Sequence, residues 1–225
     1  MTAKIAYQGE PGANSHIACL EAFPDHEPLS CRTFEDAFQA VRDGQAHLAM
    51  IPIDNSVAGR VADIHHLMPA SNLAIIGEHF LRVHHQLLVL PGTDLKTLKS
   101  VHSHVHALGQ CRKAIRDLGL TPVVAVDTAG AARELSENRH PTRAAIATKL
   151  AGEIYGLELA RGPGRFPGRC NSPVKTPGGL VSQWIQPWPG QPCCPGERAM
   201  IRANLATLLK VRLRQRRFTP RPYGF

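Results

Sequence analysis

The sequence predicts an α/β fold with two similar lobes, followed by a segment of different composition. Short apolar runs alternate with amphipathic helical patterns along residues 1–160, and a longer extended stretch interrupts them near the middle. After residue 160, Arg, Pro and Gly replace this mixed sequence. We therefore expect a first α/β lobe at 1–78, a second at 79–160, and an aberrant tail at 161–225 that is frameshifted or disordered.

The first lobe is predicted to open with a strand at 5–7, a glycine-containing turn and a helix carrying Ile17, Leu20 and Phe23. Thr33 is suited to cap the next, amphipathic helix, with Asp36 at its third position. A buried strand at 47–53 then leads through the polar loop "DNSVAGRV" into another helix, and a further strand lies near 73–77.

The second lobe is predicted to follow a crossover at 77–82, and alternate residues place Leu81, Val83, His85, Leu87 and Val89 on one face. Strands and helices then alternate three times, at 100–104 and 105–119, 121–127 and 128–138, and 143–148 and 149–156. Ligands of such sheets lie beyond the carboxyl ends of the strands, so a cleft between the lobes is the expected site.

Three turns in these lobes, at 8–15, 54–56 and 127–130, place hydroxyl, amide and backbone N–H groups where a helix is predicted to begin. Each turn taken alone is explained by helix capping, because Asp, Asn, Ser and Thr are ordinary cap residues. Three such turns spread over two lobes favour a shared cleft that binds an anion.

The sequence gives little support to a metal or a cofactor. His102, His104 and His106 form an HxHxH run, but it straddles a strand-to-helix junction and has no carboxylate or cysteine nearby. The pairs His65-His66 and His84-His85 are predicted to be surface or edge residues. Dinucleotide, P-loop, serine-hydrolase and zinc-protease motifs are not found, so we expect neither a cofactor nor a metal.

The net charge of +8 belongs to the tail. Residues 1–160 carry 14 Lys/Arg against 17 Asp/Glu, whereas 161–225 carry 12 against one. With no apolar run of membrane-spanning length and no signal-peptide pattern, we expect a cytoplasmic protein whose six cysteines are reduced thiols.

Several motifs together resemble one family. "IAYQGEPGANSH", "IPIDNSVAGRV", "SHVHALGQC", "DTAGAA" and "AAIATKLAGEIYGL" occur in the order and spacing of prephenate dehydratase. The resemblance implies a lyase of L-phenylalanine biosynthesis that forms phenylpyruvate from prephenate in a cleft between two lobes, as in periplasmic binding proteins. We expect prephenate as the small-molecule partner and a homodimer, with no membrane partner, and we disfavour nucleic acid.

The resemblance also implies roles for particular residues. Asn55 and Ser56 match the family's Glu-Asn-Ser element with Asp54 as its acid, and Asp127 stands where the family's Ser-Thr-Ala element has its serine. The implied catalytic residues are Asn55, Ser103 and Gln110, and the implied substrate-binding residues are Asp54, Ser56, Thr128 and Ala129.

One expected motif is missing. The family's proposed acid is the threonine of a Thr-Arg-Phe motif that follows Tyr155-Gly156-Leu157, and this chain has no such motif and no signature of the phenylalanine-binding ACT domain. A frameshift near codon 160 explains the abrupt change best; a disordered tail and a nucleic-acid-binding tail are the alternatives.

Two consequences are expected from the tail. Activity would be impaired, so a non-catalytic module that binds a small carboxylate is the alternative function. Because family members return a strand to the first lobe, a poorly ordered tail would leave that sheet with an open edge.

Overall fold

The computed structural model of the chain describes residues 2–56, 58–160 and 179–187. In these residues the strands form two sheets with helices packed on them, which confirms the two-lobed α/β fold. Both sheets belong to one compact unit, Met1–Gln186, and the second unit, Pro187–Phe225, lies almost wholly outside the described residues. None of the described helices has the length and apolar character needed to cross a bilayer.

The first lobe follows the predicted alternation. Its elements are β1 (Lys4–Gln8), α1 (Asn14–Ala22), β2 (Glu27–Cys31), α2 (Phe34–Arg42), β3 (Leu48–Asn55), β4 (Gly59–Arg60), α3 (Ala62–Ala70) and β5 (Leu73–Arg82), joined by the later strand β11 (Gly179–Pro187). The sheet order is β2-β1-β3-β11-β5, with β4 paired to β3. β1 pairs parallel with both β2 and β3, so the carboxyl ends of these three strands share one edge.

Helices cover both faces of this sheet. Successive side chains of β1 point to opposite faces, and each face forms a core with different helices. Ala6 joins the core formed with α2 and α3, whereas Ile5 and Tyr7 join the core formed with α1. Helix α2 begins as predicted: the Thr33 hydroxyl accepts a hydrogen bond from the Asp36 N–H, and the Asp36 carboxylate accepts one from the Thr33 N–H.

The second lobe has a five-stranded sheet. Its elements are β6 (Gln86–Val89), a 3₁₀ turn (Leu95–Thr97), β7 (Ser100–Ser103), α4 (Val105–Asp117), β8 (Thr121–Val124), α5 (Thr128–Asn138), β9 (Arg143–Ala147), α6 (Lys149–Ile154) and β10 (Glu158–Leu159). The order is β10-β6-β9-β7-β8, and β7 pairs parallel with β8 and β9. Each of these three parallel strands leads into a helix at the same edge of the sheet.

Strand β11 corrects the expectation of an open sheet edge. It pairs antiparallel with β3, with Leu180 opposite Asn55 and Ile185 opposite Ala49, and it lies between β3 and β5. Ile185 is fully buried in the core of the first lobe. The rest of the predicted poorly ordered tail, 161–178 and 188–225, lies outside the described residues.

Three other predictions are corrected or left open. The chain passes between the sheets at 83–85 and not at 77–82, because β5 continues to Arg82. No helix starts directly after Ser56, because the chain first forms the β3–β4 hairpin. The lobe boundaries at 78/79 and 160/161 stay a prediction.

Candidate functional site

The carboxyl ends of strands from both sheets meet at one place. The hydroxyl of Thr148, the residue after β9, donates a hydrogen bond of 2.5 Å to the carbonyl of Gly12 in the loop after β1. The same hydroxyl accepts from the Ala151 N–H at 3.0 Å and so caps α6. Ala13 packs against the core of the second lobe. The two sheets therefore face each other through their strand ends, where an α/β fold places its ligand.

Gly12 fits this contact because it has no side chain. Its φ is +90°, and an added Cβ would lie 2.6 Å from Cα of Ala151. The Gly12 N–H donates to Nδ1 of His16 at 3.0 Å, and the imidazole stacks on Tyr7 with 5.1 Å between ring centres. Burial lowers the pKa of His16, which favours the neutral ring that can accept this bond.

Charged and phenolic groups surround the contact. Glu10 of the first lobe pairs with Arg133 of α5 at 3.4 Å, and Arg133 also pairs with Glu137. The hydroxyl of Tyr155 is buried and has no hydrogen-bond partner in the described part of the chain. Burial, followed by the nearby Glu10 carboxylate, raises the pKa of Tyr155, so this group stays a phenol at neutral pH.

At the edge of the second sheet the structure brings together three predicted site residues. Ser103 ends β7, and its carbonyl accepts from the Ala125 N–H, two residues before the Asp127 cap of α5. Thr128 and Ala129 are the first two residues of that helix. The carboxylate of Asp127 accepts from the Gly130 N–H at 2.6 Å. The Asp127 carboxylate therefore lies at the N-terminus of α5, beside the two residues that the resemblance implies bind the substrate.

Ser103 is held inside the second lobe by a hydrogen bond of its side chain. It is 0% exposed, and its hydroxyl donates a 2.6 Å hydrogen bond to the carbonyl of Ile146 on β9. This bond ties the end of β7 to its neighbouring strand.

Gln110 lies on α4, and its Oε1 is 3.1 Å from Nε2 of His85. The prediction that His85 is a surface or edge residue is wrong, since its side chain is buried at 5% exposure. His65 and His66 are exposed, as predicted.

The third predicted group lies on the first lobe at the end of β3. Oδ1 of Asn55 accepts from the Ala58 N–H at 3.0 Å within the β3–β4 hairpin, while Asp54 and Ser56 are exposed. Strand β11 begins beside this group, because Leu180 and Val181 pair with Asn55 and Asp54. The roles assigned to all seven predicted site residues stay predictions.

Sequence reasoning gave no site role to four residues of this region, namely His16, His85, Arg133 and Thr148. A signal existed for two of them. Thr148 separates an apolar strand from a helix, as cap residues do. His85 occupies the buried phase of the alternation from Leu81 to Val89, and this pattern outweighs the polarity of one histidine.

No metal centre is found at the strand ends in the residues described. No group of three His, Cys, Asp or Glu among them is arranged to hold a metal ion. A cavity of about 360 Å³ lies elsewhere on the second lobe, lined by Leu88, Lys149, Gly152, Glu153, Leu157, Glu158 and Leu159. It contains none of the predicted site residues.

Comparison with known sequences points to one family. The prephenate dehydratase family model matches residues 5–162. A bifunctional N-acyl-homoserine lactone acylase/prephenate dehydratase of Komagataeibacter europaeus is 49% identical over 157 residues, which cover 70% of this chain and 56% of that protein. Arogenate dehydratase 1 of Petunia hybrida is 42% identical over 160 residues, 70% of this chain and 38% of that protein. The chain thus spans about half of these relatives or less.

Solved structures agree with the sequence matches. A structure described as GqqA, a novel type of quorum-quenching acylase, superimposes with a TM-score of 0.73 and 42% identity. The match covers 85% of this chain and 67% of the acylase chain. Prephenate dehydratase from Arthrobacter aurescens in complex with L-Phe superimposes with a TM-score of 0.72 and 25% identity. The match covers 87% of this chain and 63% of the Arthrobacter chain.

Proposed function

Since the chain belongs to the prephenate dehydratase family, we propose that it binds prephenate between its lobes and converts it to phenylpyruvate. The observation that carries this proposal is the contact between Gly12 and Thr148, which turns the strand ends of both sheets toward one another. A substrate with two separated carboxylates suits a site that draws polar groups from two lobes.

The proposed binding groups lie on both lobes. Thr128 and Ala129 at the N-terminus of α5 offer backbone N–H groups and a hydroxyl to one carboxylate. Asp54, Asn55 and Ser56 at the end of β3 orient the substrate from the first lobe. Because Ser103 is buried, we assign it the task of holding the end of β7 against β9.

The reaction places few demands on these groups. The bond between the ring carbon and the leaving carboxylate breaks, and its electron pair completes the aromatic ring as CO₂ departs. The C–O bond on the opposite ring carbon breaks at the same time, and the leaving hydroxyl takes up a proton and departs as water. Amides such as those of Asn55 and Gln110 stabilise charge on the leaving groups by hydrogen bonds.

Protonation of the leaving hydroxyl is the weak point of this chain. The strand that returns to β3 begins with Gly179-Leu180-Val181, which offers neither a hydroxyl nor an Arg-Phe pair. A positioned general acid contributes about 10² to 10⁴ in rate. We therefore expect slow turnover that rises with the concentration of a weak-acid buffer, because the buffer can supply the proton.

The test is conversion of prephenate to phenylpyruvate by the purified 225-residue protein, with arogenate in a second arm. We expect turnover above background, lost in Gln110→Leu and kept in the matched control Gln45→Leu, which changes an exposed glutamine. Binding of prephenate without turnover, at every buffer concentration, would favour the non-catalytic carboxylate-binding module. The absence of both prephenate binding and turnover would reject the proposal.

Hydrolysis of N-acyl-homoserine lactones is a second candidate function. It is favoured by the 49% identity to the bifunctional acylase/prephenate dehydratase and by the similarity to the quorum-quenching acylase structure. Release of free fatty acid from such a lactone measures it in the same preparation. Loss of both activities in Gln110→Leu would place them in one cleft.

We also infer a homodimer that works in the cytoplasm, organised as two lobes at 1–78 and 79–160 with a distinct segment at 161–225. Light scattering of the purified protein tests the dimer. Salt-sensitive binding of RNA or DNA would instead support the nucleic-acid alternative.

A further inference from the structure

His85 occupies an unusual place for a polar side chain. It lies in the three-residue connection between β5 of the first sheet and β6 of the second, yet it is only 5% exposed. Burying an imidazole is costly unless its nitrogens find hydrogen-bond partners. A purely structural connection between two sheets would be served at lower cost by an apolar residue.

Within the part of the chain that the structure describes, the imidazole makes one hydrogen bond, and that bond reaches a predicted catalytic residue. Nε2 of His85 is 3.1 Å from Oε1 of Gln110, 25 residues later in the chain. The other ring nitrogen, Nδ1, is buried and has no partner among the described residues. A carbonyl oxygen can only accept, so the proton must be on Nε2, and Nδ1 is bare in the neutral ring.

Burial lowers the pKa of His85, with the neighbouring His84 acting in the same direction and the bond to Gln110 opposing it. The ring is therefore neutral at physiological pH, which agrees with the single proton assigned to Nε2 from the contacts. The tautomer is thus determined by the partner.

We propose that His85 is a positioning residue that orients the amide of Gln110 for the substrate. With Oε1 held by the imidazole, the amide cannot rotate to exchange its oxygen and nitrogen, and the Nε2 donors keep one direction. A glutamine that binds a carboxylate or a leaving hydroxyl has to present donors and not its oxygen. The inference rests on the proposed function for its catalytic consequence, although the tautomer and the bond do not depend on that function.

Three substitutions of His85 separate orientation from simple packing. His85→Gln places an amide N–H close to the position of Nε2, His85→Asn is one carbon too short to reach it, and His85→Leu fills the space without a donor. We expect kcat/KM to fall about ten-fold in His85→Leu and His85→Asn, because each loses one hydrogen bond. In His85→Gln we expect kcat/KM to stay within about three-fold of the unaltered protein. Gln110→Leu should cost much less in the His85→Leu background than alone.

The outcomes that overturn the proposal are equally specific. An equal loss in the Gln and Leu variants, or additive losses with Gln110→Leu, would reduce His85 to a packing residue. If the unaltered protein does not turn prephenate over, ring ¹⁵N NMR decides the proposal separately. The proton should be on Nε2 of His85, and this preference should be lost in Gln110→Leu; a proton on Nδ1, or a preference that survives Gln110→Leu, refutes it.

Discussion

Among single residues, Thr148 carries two hydrogen bonds at the point where the lobes meet. Replacing it with valine keeps the shape but leaves the Gly12 carbonyl and the Ala151 N–H without this partner. We expect Thr148→Val to lower the free energy of unfolding by about 1 to 3 kcal/mol, as measured by urea denaturation. Thr148→Ser keeps the hydroxyl and should cost well under half as much; equal losses would contradict the role of the hydroxyl.

Asp127 combines a structural benefit with an electrostatic cost. Its carboxylate caps α5, but it also places a negative charge where we propose that a substrate carboxylate binds. Asp127→Ser keeps a capping oxygen and removes the charge, so we expect the KM for prephenate to fall about two- to five-fold, the range of one helix-terminus charge interaction. Steady-state kinetics measure this effect. The exposed Asp117 on α4 provides the control Asp117→Ser, and an unchanged or higher KM in Asp127→Ser would count against the binding site.

Residues differ in how far the sequence could reveal their hydrogen bonds. Thr33 and Asp36 were predictable because a capping box is local in sequence. The partnership of His85 with Gln110 was not, since it depends on how the crossover packs against α4. A motif identifies which residues matter, but the hydrogen-bond partners of those residues depend on tertiary packing.

Among the elements, the loop between β1 and α1 contacts the second lobe directly. Gly12→Ala should be strongly destabilising, because the new Cβ meets the Ala151 backbone at 2.6 Å and φ is +90°. Gly92→Ala is the matched control, with φ of +75° and no atom within 4 Å of the new Cβ. We expect a loss of about 1 kcal/mol in Gly92→Ala from backbone strain alone, and about 3 kcal/mol or more in Gly12→Ala. Thermal unfolding of the two variants measures these losses. Similar losses in Gly92→Ala and Gly12→Ala would mean that the lobes do not touch here.

The same loop should make stability depend on pH. The pKa of folded His16 lies below its ordinary value of 6.5, so near that pH the unfolded chain binds more protons than the folded one. The contribution of His16 to the free energy of unfolding is therefore fully present above pH 6.5, and it is lost as the pH falls below that value. His16→Asn offers a non-titrating acceptor to the Gly12 N–H, and urea unfolding at pH 7.5 and 5.5 should show a smaller difference in this variant. Burial also lowers the pKa of His85, so part of the dependence will remain.

Strands were harder to predict than helices. The helix at Thr128–Asn138 agrees with its prediction because periodicity and caps agree, whereas β2 was missed because Glu-Pro-Leu-Ser-Cys shows neither an apolar run nor a clear alternation. Strand β11 was missed for another reason. Its apolar residues are embedded in a segment whose composition suggested disorder, and only pairing with β3 gives them a place.

At the scale of the whole molecule, the prediction concerns where the chain can be cut. A fragment of residues 1–160 loses β11 and the buried Ile185, which exposes the edges of β3 and β5. A fragment of residues 1–187 keeps both sheets complete. We expect size-exclusion chromatography and circular dichroism to show a folded 1–187 fragment and an aggregating or partly unfolded 1–160 fragment. A 1–160 fragment that unfolds cooperatively and does not aggregate would show that β11 is dispensable.

The cut also determines how nucleic-acid binding should be tested. Removing residues after 160 would change the fold together with the basic segment, so a loss of binding would be ambiguous. A cut after Pro187 removes eight of the 12 Lys and Arg residues of 161–225 and leaves the strands in place.

The position of β11 has a consequence for synthesis on the ribosome. All the strands of the second sheet, from Gln86 to Leu159, leave the exit tunnel before Gly179–Pro187 does, so the second lobe can close while the first still lacks a central strand. The lobe that is translated first is completed last. During that interval its β3 edge is exposed to neighbouring nascent chains, which makes the time between the emergence of β10 and that of β11 the period of greatest risk for aggregation.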